Sequence, residues 1–138
     1  MVKAELITSG RFEEITRLTG EAVTTLLGFE FSHLGINEGN PEKAIESTTF
    51  LSNAFRLPLK ESETSISAGS CFEVIKDPLS ENKGYIAICT NNIHRAIAYL
   101  NRKDISTLPE SEKKISGNLN AVYLDREVSG FAIQLVQK

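Results

Sequence analysis

The run His33-Leu34-Gly35-Ile36-Asn37, with a helix start at Asn40-Pro41 after it, constrains this chain most, because it recurs. When His33 is laid on Tyr85, the run falls on Tyr85-Ile86-Ala87-Ile88-Cys89. At the same offset Asn40 meets Asn92, Lys43 meets Arg95, Ala44 meets Ala96, and Ile45 meets Ile97. A strand, a helix cap and a helix face agreeing at one offset indicate an internal duplication. Two copies are too few for a solenoid, so two modules sharing one core are expected.

Each copy reads β-α-β-β-β. In the first, from about Phe29, the opening strand leads to Asn40 as N-cap and Pro41 at the first helical position, where its missing N–H costs nothing. Ala44, Ile45, Thr48, Leu51 and Phe55 form the helix stripe, and Pro58 stops its continuation. Strands are expected at 59–61, 64–68 and 71–76, then a polar linker from Asp77-Pro78 to Gly84. The second copy opens with a strand from Gly84 to Cys89, and Asn91-Asn92 caps a helix carrying Ile93, Ala96, Ile97 and Leu100. Residues 104–118 read as one edge strand with a long loop. Strands at 121–124 and 131–136 close the module, joined through Asp125-Arg126-Glu127 and Ser129-Gly130.

Ahead of the repeat, residues 1–8 read as a short strand or an irregular lead-in. Phe12, Ile15, Leu18, Ala22, Val23, Leu26 and Leu27 then make one apolar helical stripe over 11–27, stopped by Gly28. This helix has no counterpart in the second copy. Its stripe needs a cover, from the rest of the chain or from a partner.

Alternation within the strands assigns the two faces. Leu34 and Ile36, Ile86 and Ile88, Phe72 and Val74, and Phe131, Ile133 and Leu135 form the face that belongs under the helices. His33, Gly35 and Asn37, Tyr85, Ala87 and Cys89, Cys71, Glu73 and Ile75, and Ala132, Gln134 and Val136 form the other. The second face is small or polar, which suits the floor of a cavity. The expected class is α+β: two β-α-β-β-β modules forming a curved mixed sheet, helices outside, plus an extra N-terminal helix.

Composition excludes several classes of function. A net charge of −3 without a basic stripe gives no case for nucleic acid. No apolar run approaches the roughly 18–20 residues of a membrane span, and the N-terminus lacks the apolar region of a signal peptide. Two cysteines, Cys71 and Cys89, make neither a disulfide framework nor a metal knuckle. The cytoplasm is the expected compartment.

The paired modules, the opening strand HLGIN, the second opening GYIAI and the last strand GFAIQL resemble the glyoxalase-like, or vicinal oxygen chelate, superfamily over residues 29–138 (modules 29–78 and 84–138). In its metal-dependent members the ligands stand on the first and last strand of each module, typically His and Glu. The resemblance puts His33 and Glu73 at those places in module one, and Tyr85 and Gln134 in module two. The lead-in MVKAELITSGRFEEITRLTGEAV is similar to the final segment of the keto-hydroxyglutarate / keto-deoxy-phosphogluconate aldolases. Some bacterial members carry a glyoxalase-like extension joined at a sequence much like LLGFEFSHLGIN. That resemblance makes residues 1–28 the end of an aldolase barrel. It carries over none of that family's catalytic lysine, partner glutamate or phosphate-binding turn.

His33 and Glu73 are the candidate metal ligands, but a catalytic zinc takes about three protein ligands. Tyr85 ligates poorly while its phenol is protonated, and Gln134 offers only a neutral carbonyl oxygen. The other reading is a hydrogen-bonded pair lining a cavity, with Tyr85 as a donor to a ligand carbonyl. Asn37, Cys71 and Cys89 are expected at the cavity, the cysteines as inert thiols, and His94 at the surface.

Three functions follow from these readings. The first is a glyoxalase-like small-molecule-binding domain associated with an aldolase barrel, lacking aldolase activity itself and needing no cofactor. The second is a glyoxalase-type lyase or isomerase acting on a 2-oxo substrate with a divalent metal (zinc, nickel or cobalt). The third is a structural dimerisation module. A homodimer is the expected assembly.

Overall fold

The computed structural model describes residues 3–77 and 81–138. Elements follow in the order α1 (Ala4–Thr8), α2 (Phe12–Leu27), β1 (Glu30–Asn37), α3 (Pro41–Phe55), β2 (Leu59–Glu61), β3 (Ser65–Ala68) and β4 (Phe72–Ile75). The second copy supplies β5 (Gly84–Thr90), α4 (Ile93–Asn101), a 3-10 turn at Pro109–Ser111, β6 (Lys113–Ile115), β7 (Asn118–Val128) and β8 (Phe131–Gln137). Both modules have the expected order. Part of the polar linker, residues 78–80, lies outside the described residues.

All eight strands join one mixed sheet in the order β2-β3-β4-β1-β5-β8-β7-β6. Each module closes by pairing its last strand parallel to its first, β4 on β1 and β8 on β5. The modules meet through antiparallel pairing of the two opening strands, β1 with β5. The two strands of the repeated motif are therefore neighbours at the centre of the sheet.

The helix caps form as their sequences dictate. Asn40 Oδ1 accepts from the backbone N–H of Lys43 at 2.9 Å, and Asn92 Oδ1 from that of Arg95 at 3.0 Å. Helix α3 packs on β3 and β4, burying Ala44 and Thr48 where Ile66, Ala68 and Val74 are also buried. Helix α4 packs on β7 and β8, where Ile93 and Ala96 join Leu119, Val122, Leu135 and Leu27 in one core cluster. The bulky alternate residues are thus the helix-side residues, as the pattern requires.

Two local readings are corrected and a third is refined. Residues 4–8 are helical, neither a strand nor irregular: α1 packs against α2 and buries Leu6. Residues 125–127 are not a connection but continue β7, and the hairpin turns at Ser129-Gly130 alone, both with positive φ (53° and 84°). A two-residue turn of that hand matches the twist of the flanking strands. The stretch 104–118 yields the edge strand β6 and also a 3-10 turn whose Ser111 Oγ accepts from the Tyr123 N–H at 2.9 Å.

The stripe on α2 is covered in part: Ile15 and Leu18 are half-buried on the helix against which α1 packs, and the C-terminal end meets the core. Leu27 enters the core and Val23 packs against it, and the Leu27 carbonyl accepts from the Asn91 N–H (2.8 Å) and Thr90 Oγ1 (2.6 Å). Phe12 remains 67% and Leu26 59% exposed. No helix among the described residues is long and apolar enough to cross a membrane.

Candidate functional site

Strand register assembles the site on the face away from the helices. One row across the sheet runs His33, Ala87, Gln134, Tyr123. The adjacent row runs Ser67, Glu73, Gly35, Tyr85, Ala132. Gly35 thus stands between Glu73 and Tyr85, and it has no side chain to separate them. The Tyr85 ring lies over it, so closely that a Cβ on Gly35 would stand 2.0 Å from the ring.

Across that gap the Tyr85 hydroxyl donates to Glu73 Oε2, while Glu73 Oε1 accepts from Ser65 Oγ at 2.7 Å. His33 Nε2 lies 3.3 Å from the Tyr85 hydroxyl and 3.6 Å from Glu73 Oε2. The imidazole meets the Tyr85 ring edge-on, and on its other side Nδ1 is 3.0 Å from Ser32 Oγ. Ser32 is the extra residue of a bulge: Phe31 pairs with Ile88, yet His33 pairs with Ala87. The bulge keeps Phe31 on the apolar face while His33 turns to the polar one, a frequent device beside functional sites.

Electrostatics divide these groups into an acceptor and a donor. Partial burial works to raise the Glu73 carboxyl, but bonds from Tyr85 and Ser65, with the charges of His33 and Lys113, outweigh it and leave it below its ordinary value. Burial raises Tyr85, and its bond to the Glu73 carboxylate and that group's charge raise it further. Tyr123, edge-on to Tyr85 at 5.8 Å, is raised by burial and by the Glu73 charge. The phenols stay protonated near neutrality, and Glu73 stays ionised.

His33 and Glu73 supply two ligands where catalytic zinc takes about three. A protonated hydroxyl hydrogen-bonds to the ligating atom of each. Among the described residues no group of three or more His, Cys, Asp or Glu is arranged to hold an ion.

His33, Glu73 and Tyr85 are brought together. Gln134 shares their face but lies two strands from His33. Asn37 donates to the Asn82 carbonyl and to Asn82 Oδ1 (3.1 and 2.7 Å), clamping the segment ahead of β5. Cys71 is exposed in the turn before β4, and Cys89 Sγ donates to the Glu30 carbonyl at 3.4 Å. His94 is exposed on α4. Ser32, Ser65, Tyr123 and Lys113 were not singled out from sequence. Alternation along 121–124 places Tyr123 on the polar face, but Lys113 fell in a stretch without periodicity.

No family model matches the sequence, and no curated protein sequence matches it. Solved structures do match its fold. A hypothetical protein from Bacillus halodurans superposes with a TM-score of 0.57 at 17% identity, over 80% of this chain and 94% of that one. Methylmalonyl-CoA epimerase from Mycobacterium tuberculosis gives 0.57 at 16% identity, over 81% of this chain and 89% of that one. A variant of homoprotocatechuate 2,3-dioxygenase from B. fuscum gives 0.56 at 14% identity, over 78% of this chain but only 32% of that one. The chain has the glyoxalase-like, vicinal oxygen chelate fold.

Proposed function

We propose that the polar face is a small-molecule site of isomerase or lyase type, acting on a 2-oxo compound or a related molecule with adjacent oxygens. The observation that carries this reading is the Tyr85 hydroxyl, bonded to the Glu73 carboxylate within 3.3 Å of His33 Nε2. A ligand carbonyl that takes the phenol's hydrogen bond deprives Glu73 of its nearest donor. That makes the carboxylate a stronger base just as the carbonyl is polarised. Glu73 then accepts a proton from the carbon beside the carbonyl and returns it, with Tyr85 holding the enolate oxygen. The fold shared with an epimerase supports this reading by analogy.

The test is exchange of the α-proton of 2-oxo acids with deuterated solvent, followed by NMR. The unmodified chain should catalyse exchange, and Glu73→Gln and Tyr85→Phe should each abolish it. Exchange that persists in Glu73→Gln defeats the assignment.

A second reading makes the chain a binding domain attached to an aldolase barrel. The uncovered Phe12 and Leu26 on α2 favour it, since a stripe of this kind calls for a cover. Borohydride trapping with pyruvate should label no lysine of this chain. Coexpression with an aldolase barrel should protect α2 from hydrogen exchange if the reading holds.

A further inference from the structure

The half of the polar face from Gln134 outward makes no hydrogen bond to the His33, Tyr85 and Glu73 cluster among the described residues, yet it carries three hydrogen-bond donors. Gln134 pairs in register with Tyr123 on β7, and Ala121, two residues along the same face, pairs with Lys113 on the edge strand β6. All three side chains therefore rise from the face that bears His33, Glu73 and Tyr85.

None of the three makes a side-chain hydrogen bond or ion pair among the described residues. Gln134 is only 4% exposed, yet among the described residues its amide makes no side-chain hydrogen bond. No buried polar atom there is sealed away without a partner, so the amide keeps an opening to the face. An amide with no protein partner and an opening to the face is free to donate to a ligand there. The Tyr123 hydroxyl also makes no hydrogen bond among the described residues, which is unusual for a half-buried phenol. Lys113 has no carboxylate within ion-pairing distance among them, although the adjacent Lys114 pairs with Glu112 at 3.4 Å.

We propose that Lys113, Tyr123 and Gln134 form a carboxylate subsite, holding the anionic end of a ligand whose carbonyl faces Tyr85 and Glu73. An ammonium, a phenol and an amide are the donors that a carboxylate's lone pairs accept. One cation with two neutral donors balances one negative charge. The ionised Glu73 on the same face repels a second, so a carboxylate suits the subsite better than a phosphate dianion.

The Tyr123 ring meets the Tyr85 ring edge-on at 5.8 Å, so the two halves of the face adjoin and a ligand of a few carbons spans from Tyr85 to Tyr123. This assignment deepens the isomerase or lyase reading and names its substrates as small 2-oxo carboxylic acids.

The experiment compares acids with their methyl esters. Pyruvate, 2-oxobutyrate, 2-oxoglutarate and benzoate, each with its ester, and inorganic phosphate are titrated into the unmodified chain, Lys113→Met and Gln134→Leu by NMR. A melting curve checks that each variant is folded. At least one acid should bind more tightly than its ester. Lys113→Met should weaken that acid by about tenfold to a hundredfold while leaving the ester unchanged. Gln134→Leu should weaken it less.

Equal affinity for acid and ester, an unaltered acid affinity in Lys113→Met, or no binding by any of the acids overturns the proposal. Phosphate that binds more tightly than every acid, dependent on Lys113, overturns the carboxylate assignment. Preference for the acid without any α-proton exchange leaves the subsite standing and removes the isomerase or lyase reading. Exchange without dependence on Lys113 does the reverse.

Discussion

Tyr85 reaches Glu73 across Gly35: the phenol on β5 and the carboxylate on β4 bond over a strand whose intervening residue has no side chain. Two modules contribute to one site in this way. Module one gives the acceptor and the gap, and module two gives the donor.

Gly35→Ala should disrupt this relationship. Its Cβ would meet the Tyr85 ring at 2.0 Å, too close for adjustment without moving the ring. Overpacking of this kind costs about 1–3 kcal/mol. The melting temperature should fall by several degrees, and α-proton exchange should fall with it. An unchanged melting curve would show that the ring does not rest there.

The pH dependence of stability follows from the directions of the two shifts. Glu73 lies below its ordinary 4.5, so it contributes stability that is present above that pH and lost as pH falls through the lowered value. Tyr85 lies above its ordinary 10.0, so its contribution is complete below pH 10 and is lost as pH rises further. Tyr85→Phe removes a bond to the carboxylate and should flatten both limbs. Denaturant unfolding of the two proteins from acid to alkali checks this, and parallel profiles would contradict it.

Zinc, nickel or cobalt at micromolar concentration should move the melting temperature of the unmodified chain little. A competent site at 100 times its Kd would add about 2.7 kcal/mol to the folded state. Tyr85→His with Gln134→Glu should create metal-dependent stabilisation that the unmodified chain lacks. Strong stabilisation of the unmodified chain, lost in His33→Ala, would falsify the reading of a protonated, metal-independent site.

The exposed part of the stripe on α2 should drive self-association when the chain is alone in solution. Phe12 and Leu26 are large and mostly exposed, and each is worth about 1.5–3 kcal/mol when fully buried. Sedimentation should show a dimer or larger species that Phe12→Ser with Leu26→Ser shifts towards monomer. A monomeric unmodified chain at high concentration would rule this out.

Much of the architecture is local and was therefore legible in the sequence. The offset joining His33 to Tyr85, the caps Asn40 and Asn92, and the alternation of Leu34 and Ile36 against His33 and Gly35 each depend on neighbours a few residues away. Periodicities of 2 and 3.6 residues carry that information directly. His33 and Glu73 were identified together through a family resemblance, while Tyr85 had an open role. Which strands lie side by side is not local. The bond from Tyr85 to Glu73 needs β1 parallel to β4 and antiparallel to β5, a glycine at the crossing, and a bulge at Ser32 to turn His33 inward. Lys113 and Tyr123 joined the polar face only through the pairings of β6, β7 and β8. Side-chain pattern determines which face a residue takes, whereas contacts between strands distant in the chain determine what it meets there.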